Sequence, residues 1–285
     1  MYVVLGATGN IGSQVVESLK SKGQTVIAVA HDQMKASALT DGNVEGVSVD
    51  IANADALRDV LRRGSRAFLL NPPAAPTMDT NAEELRTARA IAKAVEGSGL
   101  EKVVVASTYG ARQGERIGDL SVLWEFERMI EKAGVPTAVN RGAYYYTNLD
   151  MLIEPAKSGD LPTPFPADFV LPMVSPIDLG KAAASRLMSP VGAVGLEFVE
   201  GPKRYAFADV AAILSKVLGR DVRVNNIARD QIEASYREQG FSERAAEAYT
   251  RMTKATLDGP EFPANAVRGM VTLEEHITSL PAVKS

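Results

Sequence analysis

Three glycines near the start of the chain, Gly6, Gly9 and Gly12, stand three residues apart in the segment GATGNIG. The segment follows a short apolar run and opens a helical pattern, which is the context of a dinucleotide-binding loop. The first glycine permits a tight turn, the second lets the backbone approach a pyrophosphate, and the third lets the helix pack against the strand. Free N–H groups at Asn10 and Ile11 would then face the phosphates. The spacing predicts a cofactor-binding loop rather than a strand-to-helix turn that binds nothing.

The residues after the second and third predicted strands bear on which nucleotide is bound. Asp32 lies where an acidic residue accepts a hydrogen bond from the adenosine 2′-hydroxyl, which favours NAD. His31 and Lys35 instead offer positive charge to a 2′-phosphate, which favours NADP. Asp50 is expected either to hydrogen-bond the adenine amino group or to cap the following helix. These residues leave the choice between NADP and NAD open.

The elements that position this loop alternate between apolar runs and helical patterns. The predicted strands are residues 2–5, 25–30, 46–49, 66–70, 102–106 and 136–140, and the predicted helices are 11–22, 54–63, 81–98 and 120–133. Strands that are apolar on both faces and separated by crossover helices indicate a parallel sheet covered on both sides. The pattern predicts a doubly wound α/β fold of the Rossmann type.

The alternation ends at about residue 144, where a proline-rich segment, GDLPTPFPADFVLPMVSP, predicts extended or looping structure. Helices are predicted at 176–188 and 207–218, strands at 196–199 and 222–224, and a helix-rich tail at 230–257. We expect a Rossmann dinucleotide-binding domain over residues 1–145 and a smaller C-terminal α+β region over 146–285 that forms the substrate cleft. Residues 176–200 are expected to return to the Rossmann sheet.

The composition excludes several kinds of site. The chain of 285 residues has no cysteine, which excludes disulfides, thiolate metal ligands and a cysteine nucleophile. Its two histidines lie far apart in sequence, so no metal site is expected. The net charge is −4 with both signs interspersed, so no nucleic-acid surface is expected. No apolar run approaches the ~20 residues that span a bilayer, and we expect a cytoplasmic protein, monomeric or homodimeric, that acts on a small molecule.

Five segments, in this order, resemble NmrA-like proteins, an atypical branch of the short-chain dehydrogenase/reductase superfamily: LGATGNIG, FLLNPPA, VVVASTYGA, WEFERMIEKAGVPTAVNRGAYYYTNL and VSPIDLGKAAA. The resemblance extends over nearly the whole chain. It implies a Rossmann domain with a cleft against the C-terminal region. It also implies that NADP(H) is favoured, although His31 stands where many relatives have an arginine for the 2′-phosphate. The cofactor contacts that it implies, together with their neighbours, are Gly6, Thr8, Gly9, Asn10, Ile11, Gly12, Asp50, Ile51, Asn71, Pro72 and Ser107.

The catalytic pair that is usual in this superfamily is missing. Its members use a tyrosine whose pKa is lowered by a lysine four residues later, and none of the eight tyrosines here has a lysine at that position. In the helix that matches, Asp119 stands at the tyrosine position and Leu123 at the lysine position. The sequence therefore lacks the dyad.

The missing dyad limits which acceptors can be reduced. Hydride delivered to a simple ketone makes an alkoxide, whose conjugate acid has a pKa of roughly 15.7, as in water. Hydride delivered to a quinone makes a phenolate-like oxygen with a conjugate pKa of roughly 10, as in tyrosine. The phenolate-like product therefore needs about 7–8 kcal/mol less stabilisation by the site than the alkoxide does. A site that only holds the nicotinamide against an electron-poor ring is thus better suited to quinones.

The remaining site candidates follow strands at the carboxyl edge of the predicted sheet, where open α/β sheets bind ligands. Ser107 and Tyr109 follow the fifth strand as weak catalytic candidates. Tyr109 is expected to donate a hydrogen bond to a substrate oxygen, with a buried tyrosine bonded to backbone as the alternative. Glu127, on the helix predicted at 120–133, is expected to be a solvated or capping charge.

Three consecutive tyrosines after the sixth strand, Tyr144, Tyr145 and Tyr146, are candidate walls of an aromatic substrate pocket. Consecutive side chains point in different directions, so one or two of them are expected at the cleft. The alternative is that they anchor the C-terminal region. Two functions follow from the sequence: an NAD(P)H-dependent oxidoreductase that reduces a quinone-like acceptor, or an NmrA-like regulator that binds the nucleotide, signals its redox state to a protein partner and catalyses nothing.

Overall fold

A parallel sheet of eight strands forms the centre of the structure, a computed structural model that describes residues 1–259 and 262–284. The strands of this sheet and of two small C-terminal sheets are β1 Tyr2–Val4, β2 Val26–Ala30, β3 Val44–Ser48, β4 Arg66–Leu69, β5 Lys102–Thr108, β6 Thr137–Gly142, β7 Tyr144–Tyr145, β8 Asp160–Thr163, β9 Val170–Val174, β10 Gly195–Glu200, β11 Arg204–Ala206, β12 Arg223–Asn226 and β13 Val267–Arg268. The helices are α1 Asn10–Lys20, α2 Gln33–Leu39, α3 Ala54–Leu61, α4 Thr80–Val95, α5 Asp119–Lys132, α6 Ile153–Lys157, α7 Pro176–Met188, α8 Phe207–Leu218, α9 Ile232–Glu238, α10 Glu243–Leu257, α11 Leu273–Ser279 and α12 Pro281–Lys284, with a 3₁₀ helix at Tyr146–Leu152.

The central strands form because their side chains are apolar on both faces. Successive residues of a strand point to opposite faces, and in β5 Val103 and Val105 enter one core while Val104 enters the other. The first core packs against α3, α4 and α5, and the second against α1 and α7. Both faces of the sheet are therefore covered, as the uninterrupted apolar runs predicted.

The strand order is β13-β10-β6-β5-β4-β1-β2-β3, and neighbouring strands pair in parallel. Strand β1 lies between β2 and β4, so the chain leaves β1 toward one side and later crosses to the other. This reversal places the loop after β1 at the topological switch point, where doubly wound sheets bind ligands. The predicted Rossmann-type α/β fold is confirmed.

The C-terminal residues build a separate apolar cluster over the carboxyl side of the sheet. Tyr146, Leu161, Phe165 and Tyr205 are among its buried members, together with residues from α8 and α11. Strands β11, β9 and β7 form one small sheet, and β12 pairs with β8 in another. The segment 176–200, by contrast, contributes α7 and β10 to the central layers.

The predicted and observed elements agree closely where the pattern is long. The predicted helices at 176–188 and 207–218 match α7 and α8. Helix α2 was not predicted, because its seven residues bury only Ala36 and show no apolar stripe. Strand β13 was also missed, since it has two residues, both exposed. No helix in residues 1–259 or 262–284 combines the length and the apolar character needed to cross a membrane.

Candidate nucleotide and substrate site

The glycine loop is a tight connection between β1 and α1. Gly6 has a positive φ of 66°, which favours glycine, and the N–H of Gly9 donates to the Gly6 carbonyl oxygen at 2.9 Å. A Cβ atom on Gly12 would lie 2.1 Å from that same oxygen, so only glycine lets α1 begin this close to β1. Gly6 thus has the backbone conformation, and Gly12 the close packing, that the glycine spacing predicts.

The first turn of α1 presents backbone donors at this loop. Gly9 is the N-cap and has no side chain to occupy the free N–H groups of the turn. Thr8, Gly9 and Asn10 are exposed, whereas the Ile11 side chain is buried in the core, so that only its backbone is available to a ligand. The loop therefore offers an uncovered helix N-terminus, the arrangement that binds phosphate in dinucleotide sites.

The residues at the end of β2 surround the beginning of α2. His31, Asp32 and Lys35 are exposed, and Asp32 is the N-cap of α2, because its Oδ1 accepts the Lys35 N–H at 2.9 Å. The Ser48 hydroxyl donates to the His31 carbonyl oxygen at 3.0 Å. The carboxylate of Asp32 thus has a structural role in addition to any contact with a ribose, and the choice between NADP and NAD stays open.

Asp50 follows β3 but does not cap the next helix. Its Oδ1 accepts the Ala52 N–H at 2.9 Å, whereas the N-cap of α3 is Asn53, which accepts the Ala56 N–H at 3.2 Å. The capping alternative for Asp50 is therefore wrong, because the helix begins one turn later than that alternative requires. The role of Asp50 toward an adenine ring stays a prediction, as does that of its half-buried neighbour Ile51.

Asn71 and Pro72 lie directly after β4, next to the glycine loop. Asn71 is 8% exposed, its amide nitrogen donates to the Glu84 carbonyl oxygen at 3.1 Å, and its Oδ1 has no hydrogen-bond partner among the described residues. Buried polar atoms in folded proteins are nearly always paired. The unpaired oxygen is consistent with a ligand that donates a hydrogen bond at this edge of the sheet.

Ser107 is part of a buried ionic cluster. It is 1% exposed, and its hydroxyl donates to Glu127, whose two oxygens also accept hydrogen bonds from the Arg141 guanidinium at 2.8 and 2.7 Å. Glu127 is itself 2% exposed. The expectation that Glu127 is solvated is wrong, and Ser107 is better described as a structural residue than as a catalytic or cofactor contact.

Tyr109 is likewise bonded inside the protein. Its hydroxyl donates to Glu200 at 3.0 Å, and this fully buried carboxylate also pairs with Arg204 and Arg268 at 2.8 and 2.7 Å. Burial, together with the Glu200 charge, raises the pKa of the Tyr109 hydroxyl. The structure thus contradicts the role of Tyr109 as a substrate donor, because its proton is already held by a buried carboxylate.

We expect the Tyr109→Phe variant to lose stability and to keep its activity. Removing a hydrogen bond to a charged group is expected to lower the free energy of unfolding by about 1.5–3 kcal/mol. A general acid, by contrast, contributes about 10²-fold or more to a rate. Urea unfolding and the rate of NADPH oxidation, measured on the same preparation, separate the two. A 10²-fold lower rate in Tyr109→Phe would instead show that Tyr109 acts in catalysis.

The three consecutive tyrosines differ in how deeply they are buried. Tyr146 is fully buried, its hydroxyl donates to the Val271 carbonyl oxygen at 3.2 Å, and its ring packs against Tyr205. Its assignment to the substrate pocket is therefore wrong, and it anchors the C-terminal region. Tyr144 and Tyr145 keep part of their side chains exposed. They stay candidates for the wall of the cleft.

Two carboxyl groups that were not predicted to interact, those of Glu84 and Asp119, lie on the neighbouring helices α4 and α5. Glu84 of α4 is 4% exposed, and burial, reinforced by the charge of Asp119 at the start of α5, raises the pKa of Glu84 to about 8. Glu84 falls on the apolar stripe of α4, four residues before Ala88 and seven before Ile91. That spacing is the signal in the sequence that could have predicted its burial.

The sequence of the whole chain settles the family. The profile of the NmrA-like family matches residues 2–274. The chain belongs to the NmrA-like family. Its curated relatives include an NAD(P)H azoreductase of Xenophilus azovorans, which is 23% identical over 283 residues, covering 99% of this chain and 94% of the relative.

Solved structures share the fold of this NmrA-like chain. The Escherichia coli NADPH-dependent quinone oxidoreductase in complex with NADPH superposes with a TM-score of 0.82 at 20% identity, covering 98% of this chain and 99% of that one. The Citrobacter sp. triphenylmethane reductase in complex with NADP(H) gives a TM-score of 0.79 at 22% identity, covering 100% and 99%. At these identities the likeness establishes the fold.

Proposed function

We propose that this protein is an NAD(P)H-dependent oxidoreductase that delivers a hydride to a quinone or a similarly conjugated acceptor. The observation that carries the proposal is the uncovered N-terminus of α1 behind the Gly6–Gly12 turn, placed at the switch point of the sheet. Such a terminus stabilises phosphate through backbone N–H groups and the helix dipole. The similarity to an azoreductase, a quinone oxidoreductase and a triphenylmethane reductase supports the proposal that this chain is also a reductase.

The residues present fit a nicotinamide dinucleotide. The pyrophosphate would bind at the backbone of Gly9, Asn10 and Ile11, and a Cβ on Gly12 would fill the space that this turn needs. The adenosine would lie toward His31, Lys35 and Asp50, and the nicotinamide ribose toward Asn71 and Pro72. When bound, the reduced cofactor supplies the hydride. NADP(H) is the favoured form, because Lys35 is an exposed cation beside the expected 2′ position, and NAD(H) is the alternative.

The acceptor is proposed from what the site does and does not contain. The tyrosine–lysine dyad is absent from the sequence, and Tyr109 is bonded to Glu200. An acceptor whose reduced oxygen is phenolate-like needs about 7–8 kcal/mol less stabilisation than a ketone. Tyr144 and Tyr145, partly exposed after β6, supply flat surfaces against which a conjugated ring can pack. These features favour an electron-poor aromatic substrate.

The experiment follows the absorbance of NADPH, and separately of NADH, with purified protein and either a quinone or a simple ketone. The matched variants are Gly9→Asp and Gly9→Asn, which have side chains of the same shape. Gly9 has φ −88° and ψ 173°, which any residue can adopt, and a Cβ there would lie 3.3 Å from the Gly6 oxygen, a tight contact that both variants share. The aspartate places a negative charge beside the phosphates.

Oxidation that needs the quinone, is lost in Gly9→Asp and is less affected in Gly9→Asn would support the proposal. Nucleotide binding without oxidation by any acceptor would contradict it and would favour the regulator. Failure of the wild-type protein to bind either nucleotide would contradict both functions.

A further inference from the structure

The α9–α10 hairpin rests on two loops at the carboxyl edge of the central sheet. At the start of α10, the Ser242 N–H donates to the Pro76 carbonyl oxygen at 2.9 Å, and the Ser242 hydroxyl donates to the Met78 carbonyl oxygen at 2.7 Å. Both acceptors lie in the loop that follows β4. The Arg251 guanidinium of α10 donates to the Glu115 carbonyl oxygen, in the loop after β5, at 3.2 Å. Because β4 and β5 are neighbours in the sheet, these hydrogen bonds place the hairpin at the edge where open α/β sheets bind ligands.

Arg116, in the loop after β5, joins both loops to the hairpin. Its guanidinium donates to the two Asp79 carboxylate oxygens at 3.2 and 3.0 Å and to the Arg244 carbonyl oxygen of α10 at 3.3 Å. Its Nε lies 3.8 Å from Glu247 Oε2, also on α10. The hydrogen bond from Arg116 holds the pKa of the Asp79 carboxyl below its usual range, so the pair is charged at neutral pH. One side chain therefore ties the end of the β4 loop, the β5 loop and α10 together.

The backbone of Arg116 has an unfavourable conformation. Its φ is 50°, and no other non-glycine residue in 1–259 or 262–284 has a positive φ. Bulky side chains rarely adopt this region, and such a conformation persists only where the surrounding contacts impose it, often at ligand clamps and switch regions. The hydrogen bonds of the Arg116 side chain are contacts of this kind, so they hold a loop that would otherwise relax.

Contacts inside the hairpin are aromatic and join its two helices. The rings of Tyr236 on α9, Phe241 in the connection and Tyr249 on α10 lie 5.0 to 5.7 Å apart. The Tyr236 hydroxyl also hydrogen-bonds that of Thr253, on α10, at 2.8 Å. Aromatic pairs at these distances stabilise packing beyond the burial of their area. The two helices are therefore expected to move as one unit.

The hairpin lies outside the apolar cores. Among the residues that the structure describes, no buried side chain of α9 or α10 belongs to any of the three apolar clusters, and only Leu257 of these helices packs against one of them. Where α10 packs against the start of α4, the buried polar atoms Thr80 Oγ1, Asn81 Oδ1 and Thr250 Oγ1 have no hydrogen-bond partner in that part of the chain. A segment with few apolar contacts opens locally at a lower cost than a core element.

We propose that the α9–α10 hairpin is a lid over the acceptor side of the cleft, and that Arg116 is the positioning residue that latches it to the loops after β4 and β5. This inference rests on the proposed function, because that function places the nicotinamide ribose toward Asn71 and Pro72, in the same loop that Ser242 contacts. The closed hairpin excludes water from the reacting groups. The acceptor enters, and its reduced product leaves, when the hairpin opens.

Opening of the lid is measured by hydrogen–deuterium exchange of the protein without acceptor. Arg116→Lys keeps the charge and the backbone conformation but loses the fork that binds both Asp79 oxygens. We expect the amides of α9 and α10 to exchange about tenfold faster in this variant, which corresponds to a latch weaker by about 1.4 kcal/mol. Amides of β1, β4 and β5 should exchange as in the wild-type protein, which distinguishes opening of the lid from global unfolding.

A second variant removes the latch from the other side. Asp79→Asn loses the charge that Arg116 binds, but asparagine also caps helices, so α4 should still begin at Thr80. The same rise in exchange is expected. Arg237→Lys is the matched control, because Arg237 is exposed and pairs with Glu233 and Glu243 within the hairpin itself. It should exchange like the wild-type protein.

The lid predicts a gain in rate rather than a loss. NADPH-loaded protein should react with a dilute, bulky quinone at a rate proportional to the open fraction, so we expect Arg116→Lys to react about tenfold faster, the factor by which it opens more often. At saturating quinone the single-turnover rate should change little, because the hairpin is still closed most of the time. A merely structural defect would lower both rates.

Hairpin exchange no faster in Arg116→Lys and Asp79→Asn than in Arg237→Lys would overturn the latch. Faster exchange without faster reaction with dilute quinone would overturn the lid over the acceptor and leave the proposed function intact. A wild-type protein that oxidises no NADPH would overturn the proposed function and the lid's part in it, while the exchange rates would still decide whether Arg116 latches the hairpin.

Discussion

Replacing Gly12 with alanine is expected to weaken nucleotide binding about 10²-fold, or about 2.8 kcal/mol, the size of the loss of one or two hydrogen bonds to a charged phosphate. The new Cβ would lie 2.1 Å from the Gly6 oxygen and 2.6 Å from the Gly6 carbonyl carbon. Both are backbone atoms, so no side chain can rotate away, and the N-terminus of α1 must move from β1. The displaced N–H groups then no longer converge on the pyrophosphate. The same strain is expected to lower the free energy of unfolding by about 1–3 kcal/mol.

Calorimetric titration with NADPH and urea unfolding measure the two effects. The matched control is Gly192→Ala, since a Cβ at that exposed glycine would meet no atom of the described residues within 4 Å and its φ is not positive. The control should bind and unfold like the wild-type protein. If Gly12→Ala bound NADPH as tightly as the control does, the loop would not be the pyrophosphate site.

The second large effect is expected at the buried ion pair of the Rossmann core. Glu127→Ala removes the carboxylate that accepts both hydrogen bonds of Arg141 and the hydroxyl of Ser107. The Arg141 side chain is 15% exposed, so its charge would be left largely buried without a partner. Breaking a buried pair in this way costs about 3–5 kcal/mol in the free energy of unfolding.

The control for this prediction lies on the same helix. Glu131 pairs with Arg128 at 2.8 Å, with side-chain exposures of 41% and 44%. Exposed pairs contribute about 0–1 kcal/mol, so Glu131→Ala should unfold at nearly the wild-type urea concentration. A loss in Glu127→Ala no larger than that in Glu131→Ala would mean that the pair contributes little to the fold.

The strands and the glycine loop could be predicted because the information for them is local. Apolar runs in β1, β2 and β5 mark buried strands, and the glycine spacing specifies a turn of a few residues. The same local reasoning failed for Tyr109 and Ser107. Their partners Glu200 and Glu127 are 91 and 20 residues away in sequence, and only the packed sheet brings them together.

The proximity of Glu84 and Asp119 also could not be predicted from local sequence. Each carboxyl group alone resembles an ordinary helical acid, although Asp119 stands at the tyrosine position of the missing dyad. Its partner is on α4, 35 residues earlier in the chain. The electrostatic interaction between them depends on how α4 and α5 lie beside each other on the sheet, which a single sequence does not specify.

The most direct test of hydride transfer mixes NADPH-loaded protein with a quinone under anaerobic conditions and follows one turnover. We predict loss of the reduced-nicotinamide absorbance in a single phase, with one NADPH oxidised per chain, quinol formed in equal amount, and a slower phase when the transferred hydrogen is deuterium. NADPH that stays bound and reduced in the presence of the quinone would contradict the assignment of this chain as a quinone-type reductase.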